Sequence, residues 1–182
     1  MSQPLNPSQH GSIPYVPLHQ HSHYSILQAS SKVKDLVAVA KEKGFEALAL
    51  TDNGVMYGAL ELYQKARNEG LKPIIGCELC VIEGDITDRS SRKTMHNVVL
   101  LVKDATGYAN LLKLVSMAHL QGFYYKPRIN WSLLEAHSEG LICPDRQPER
   151  GHCRALYATT RKPHANGWPG WPRCLARICT LS

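Results

Sequence analysis

Long apolar runs are missing from this 182-residue chain, in which no purely aliphatic stretch is longer than Val98 to Val102. A membrane-crossing helix needs ~20 consecutive apolar residues, so a membrane protein of that kind is not expected. The first 17 residues are polar and proline-punctuated, without the apolar centre of a secretory signal, and a cytoplasmic location is the default expectation. Phosphate-cradling and nucleophile motifs are missing as well: there is no Walker loop, no G-x-G-x-x-G and no G-x-S-x-G elbow. No bias towards disorder appears, because hydrophobic residues make up 43% and charged residues 20%. The six cysteines form no paired C-x-x-C framework, although Cys77 and Cys80 have that spacing. In a cytoplasmic chain, free buried thiols are the expected reading.

What is present first suggests an acidic partner, because the net charge is +6 and the pI about 9.0. The charge is unevenly placed. Residues 1–143 carry 14 Lys and Arg against 13 Asp and Glu, whereas residues 144–182 carry 7 against 2. The basic balance is therefore a property of the last 39 residues.

Between residues 15 and 143, extended and helical segments alternate. Residues 15–19 read as a short extended run. Residues 31–43 place Val33, Leu36, Val37 and Ala40 on one helical face, with Ser30 or Ser31 as cap and Gly44 at the left-handed end. A buried strand over 46–51 leads into the turn Asp52-Asn53-Gly54. A helix over 56–68 and a strand over 73–82 follow, and Gly76 marks a bulge or a close backbone approach. An exposed loop at 83–94 precedes a strand over 97–103, a helix over 106–119, a short helix around 131–137 and a strand over 140–143. This alternation implies parallel pairing and an α/β fold, as a barrel or an open sheet.

Three divisions result: a flexible N-terminus over 1–14, a folded body over 15–143, and an irregular basic tail over 144–182. The tail holds five prolines and two tryptophans, and no helical or alternating period survives in it. It reads as a segment never selected to fold with the body, such as an out-of-frame extension. The alternative is a basic nucleic-acid-binding tail.

The residues able to do chemistry cluster at predicted strand ends. His19, His21 and His23 recur at two-residue spacing, so an extended backbone turns them to one face, where imidazoles can converge on a metal ion. Asp52 follows a strand at the same rim and can bind metal, orient a ligand histidine or form an Asx turn. Glu78 lies in an apolar run, where a buried carboxylate needs a cation or a lysine as partner. His96 precedes the next strand, at the opposite rim of a simple barrel. Phe123, Tyr124 and Tyr125 read as packing residues. With Lys126 and Arg128 they could also meet a nucleic-acid strand.

These residues carry a resemblance. The stretch from Pro17 through His19, His21 and His23 to Leu27 resembles the opening motif of the PHP (polymerase and histidinol phosphatase) domain family. Residues 49–58, containing Thr51-Asp52-Asn53-Gly54, resemble its second motif, and residues 72–78, ending Gly76-Cys77-Glu78, its third. Residues 107–114 and 122–129 are similar to segments of one branch, the bacterial replicative DNA polymerase III alpha subunit. The resemblance covers residues 15–142. It implies a (βα) barrel with a metal cluster at one end, with His19, His21, Glu78 and His96 in ligand positions and Asp52 behind them. It further implies divalent zinc, manganese or magnesium, and DNA and other holoenzyme subunits as partners of the parent protein. Active members hydrolyse phosphate esters, and some polymerase PHP domains trim DNA 3′ ends.

The sequence departs from the family pattern at several points. Gln28 stands where the family commonly has an aspartate ligand, and Asn53 where it has a histidine. Later ligands would follow residue 142, where the tail begins, and the polymerase palm would lie further downstream. The expectation is an incomplete PHP-type barrel, the N-terminal fragment of a polymerase subunit, holding metal weakly or not at all and lacking exonuclease activity. Two alternatives remain: a stand-alone phosphoesterase of the histidinol-phosphatase kind, and a non-catalytic replisome interaction module.

Overall fold

The computed structural model describes residues 15–89 and 95–144. The flexible N-terminus expected over 1–14, the tail from 145 and residues 90–94 of the expected loop lie outside the described residues.

Helix α1 (Val33–Glu42) buries Val33, Val37 and Ala40, the stripe legible in the sequence. Gly44 follows it at φ +70°, the left-handed position that favours glycine. The start differs from the expected serine cap. Lys32 is the N-cap and makes no side-chain cap bond, while the Ser31 carbonyl accepts from the His23 N–H. Strand β1 (Ala47–Leu50) is buried throughout, and helix α2 (Ala59–Asn68) covers it with Leu62 and Ala66. Strand β2 (Lys72–Ile82) is followed by β3 (Met95–Val102) and helix α3 (Ala105–Leu120). Asp104 caps α3 by accepting from the Gly107 N–H at 2.9 Å. Strand β4 (Arg128–Asn130), helix α4 (Trp131–Ala136) and strand β5 (Leu141–Ile142) complete the described elements.

The sheet is organised around β2. Along one edge β1 pairs in parallel with its first residues, Ala47 with Lys72 through Leu50 with Ile75. Further along the same edge β4 pairs in parallel with Cys80, Val81 and Ile82. The other edge takes β3, antiparallel, from Gly76 with Leu101 to Ile82 with Met95. Strand β5 then pairs antiparallel with β3. The expected all-parallel pairing is thus corrected for β3 and β5. A parallel return requires a crossover, usually a helix, and the described part of the β2–β3 connection holds only turns. The fold is mixed α/β, and among the described residues the barrel is incomplete.

Residues 15–19 do run alongside β1, but not as a regular strand. The Pro17 carbonyl accepts from Ala49 N–H at 3.2 Å and the Gln20 carbonyl from Thr51 N–H at 2.8 Å. Pro17 has no N–H with which to continue the ladder.

Period-two alternation divides β2 into two faces. Cys77, Leu79 and Val81 pack against Leu111, Leu114 and Ala118 of α3 in the largest apolar cluster. Gly76, Glu78 and Cys80 occupy the other face. A methyl group on Gly76 would lie 2.5 Å from the Leu100 carbonyl oxygen, so this glycine marks a close backbone approach rather than a bulge. Cys77 and Cys80 are free and buried, and their odd separation puts the two thiols on opposite faces.

Candidate metal centre

Glu78 is held through its backbone before its side chain meets anything. Its N–H donates to the Asp52 carbonyl at 3.0 Å, and its carbonyl accepts from the Gly54 N–H at 2.7 Å. The Asp52-Asn53-Gly54 turn therefore fills the gap between β1 and β4 on the β2 edge, with Asn53 bridging to Glu78. The turn needs Gly54, which sits at φ +69° and where a Cβ would come 2.6 Å from the Pro127 ring. From α3, the His119 ring Nε2 lies 2.8 Å from the Gly54 carbonyl oxygen and braces the turn.

The histidine segment is tied to the same turn. The buried Asp52 carboxylate accepts from Ser22 N–H at 2.6 Å, Ser22 Oγ at 2.8 Å and Ser25 Oγ at 2.7 Å. Gln20 N–H donates to Thr51 Oγ1 at 3.0 Å. With residues 20–22 fixed at the end of β1, His19 and His21 turn to one side. His19 Nε2 lies 2.7 Å and His21 Nε2 2.9 Å from Glu78 Oε2, and the two ring nitrogens are 3.1 Å apart.

These spacings suit a shared cation. Metal–ligand bonds of ~2.1 Å place neighbouring ligand atoms ~3.0 Å apart at right angles and ~3.4 Å apart in a tetrahedron. Two imidazole nitrogens and one carboxylate oxygen form a donor set that first-row divalent ions accept. The trio could hold such an ion. Burial works to raise the Glu78 carboxyl, but the hydrogen bond and charge of His19, then of His21, outweigh it and hold the group below its usual range.

The other sequence candidates lie elsewhere. His23 donates its N–H to Ser31 and sets its ring against Tyr24 at 4.2 Å between centroids. His96 lies within β3 rather than before it, opposite Val81, so it shares the face of β2 away from Glu78. Its ring stands 6.2 Å from that of Trp131. Asp52 makes no Asx turn and reaches the histidines through the backbone they belong to, by way of Ser22 and Ser25. Those two serines carry no distinguishing signal in the sequence; only their nearness to the histidines could have suggested them.

The PHP domain family model matches residues 17–171. The chain belongs to the PHP domain family. The match runs beyond residue 143, where sequence patterning ends the folded body. Similar curated proteins include the DNA polymerase III alpha subunit of Chlamydia pneumoniae, 48% identical over 132 residues, covering 71% of this chain and 11% of that protein. The subunit of Chlamydia trachomatis serovar D is 50% identical over 133 residues, with 71% and 11% covered. That of Treponema pallidum is 48% identical over 132 residues, again with 71% and 11% covered. This PHP chain thus spans about a tenth of the length of those relatives. Among solved structures, an amidohydrolase from Chromobacterium violaceum matches at TM-score 0.44 and 22% identity over 57% of this chain and 32% of that one. A protein assigned as a metal-dependent phosphoesterase, from Bifidobacterium adolescentis, matches at TM-score 0.43 and 16% identity over 57% and 32%. Both are remote likenesses. No helix among the described residues is long and apolar enough to cross a membrane.

Proposed function

We propose that this chain is the N-terminal PHP segment of a DNA polymerase III alpha subunit, acting in chromosome replication, and that it binds a divalent cation without turning over DNA ends. The observation that carries this reading is the meeting of His19, His21 and Glu78 in a chain 48% identical over 132 residues to such a subunit. DNA and the other holoenzyme subunits are the partners that follow, in the cytoplasm. The two imidazoles favour zinc or another transition ion over magnesium.

Bound by this trio, a cation would supply Lewis acidity to a phosphate oxygen or to water. The chain's own residues prepare the position. Glu78 brings the negative charge, His19 and His21 present their Nε2 atoms, and Asp52 fixes the loop backbone so that the spacing does not depend on the cation. Phosphodiester hydrolysis by paired ions needs further ligands, and among the described residues no second group of three gathers.

The purified chain is to be incubated with single-stranded DNA labelled at its 3′ end, with Mn²⁺ or Zn²⁺. No nucleotide release above that of a His19→Ala/His21→Ala variant is expected, while stoichiometric metal binding is lost in the variant. Metal-dependent release that the variant lacks would overturn the inactive reading, and failure of the wild type to bind metal would overturn the metal centre.

A further inference from the structure

We infer that an amide pair, Gln28 and Asn53, restricts the centre to a single cation, an inference that rests on the metal-centre reading above. Two of the positions where the sequence departs from the family pattern meet in space, with Asn53 Nδ2 donating to Gln28 Oε1 at 3.1 Å. Asn53 also bridges to Glu78 in the sheet, and its N–H donates to Ser25 Oγ at 3.0 Å. The pair therefore stands at the flank of the trio, linked to it by main chain.

A second dication ~3.5–4 Å from the first needs donors of its own, and negative ones, because the two ions repel. Among the described residues this flank offers neither. Amide oxygens are neutral and weaker ligands than carboxylates, and Gln28 Oε1 is already engaged by Asn53. Glu78 brings one negative charge to the trio, which a single dication already exceeds. The neighbouring carboxylate, Asp52, is buried and accepts three hydrogen bonds from Ser22 and Ser25. The amide pair also does mechanically what a bridging ion would do. It ties the loop that carries Gln28 to the turn that holds Glu78.

The test is titration of the full chain with Mn²⁺, followed by calorimetry and electron paramagnetic resonance. The wild type should bind one Mn²⁺ that depends on His19 and His21 and gives the six-line spectrum of an isolated ion. A Gln28→Asp/Asn53→His variant should bind a second Mn²⁺ and show an exchange-coupled spectrum. Should that variant not fold, Gln28→Glu/Asn53→Asp, which keeps side-chain size, should likewise gain the second ion. A coupled pair in the wild type overturns the single-ion inference and leaves the metal centre standing. So does a folded variant, by its thermal melt, that stays at one ion. No Mn²⁺ dependent on His19 and His21 in the wild type overturns the metal centre and this inference together.

Discussion

Leu79 and Glu78 are neighbours in β2 with almost the same exposure, 1% and 5%, yet they belong to different worlds. Leu79 faces α3 among Cys77, Val81, Leu111 and Leu114, where the stabilisation is removal of apolar surface from water. Glu78 faces the histidine loop, where its carboxylate meets His19 and His21 through hydrogen bonds and charge. Burial alone does not separate core from site. The polar partners do, and they come from residues far away in sequence.

The division is open to attack from both faces. Leu79→Ala should have the largest effect, a loss of about 3 kcal/mol of stability in urea denaturation, from lost transfer and the cavity left behind. In the remaining folded protein the Mn²⁺ stoichiometry should not change; lost binding at unchanged stability would break the comparison. On the other face, Asp52→Asn keeps the shape but weakens three bonds to Ser22 and Ser25. It should cost about 2 kcal/mol of stability, and calorimetry should show roughly tenfold weaker metal affinity, because the loop bearing His21 loosens. Unchanged affinity would show that the histidines hold their places without the loop anchor.

The smallest effect concerns the two thiols. Burial first of all pushes the Cys77 thiol up to about 12, so it stays protonated in the folded chain. Its contribution to stability is present below the ordinary thiol range of ~8.5 and is lost as pH rises from there towards 12, because only the unfolded chain ionises. Cys80 is also raised, chiefly by burial, but Lys126 and Arg128 draw it back down. Alkylation with iodoacetamide at pH 8, read by peptide mass mapping, should leave both nearly intact in the folded protein and modify Cys80 ahead of Cys77. The reverse order would reassign the two faces of β2.

Much of this arrangement is legible in the sequence because it depends on local periodicity. The two-residue spacing of His19 and His21, the apolar run around Glu78, the α1 stripe and its end at Gly44 follow from backbone geometry alone. Strand direction is not local, so the antiparallel return of β3 goes unread. Strand β4 has only three residues and carries no period. His96 illustrates the sensitivity of register: one residue along β3 exchanges one face of the sheet for the other. The partnership of Asp52 with Ser22 and Ser25 requires knowing that residues 30 and 27 positions apart meet.

The hydrogen bonds that join Glu78 to the histidines span 59 and 57 residues. Chain closure over such distances loses much conformational entropy before any contact offsets it, whereas α1 and α2 close over a few residues each. The ligand trio is therefore expected to come together after the helices. Cation uptake by a refolding chain would then act as a clock for the arrival of native topology, silent while secondary structure accumulates.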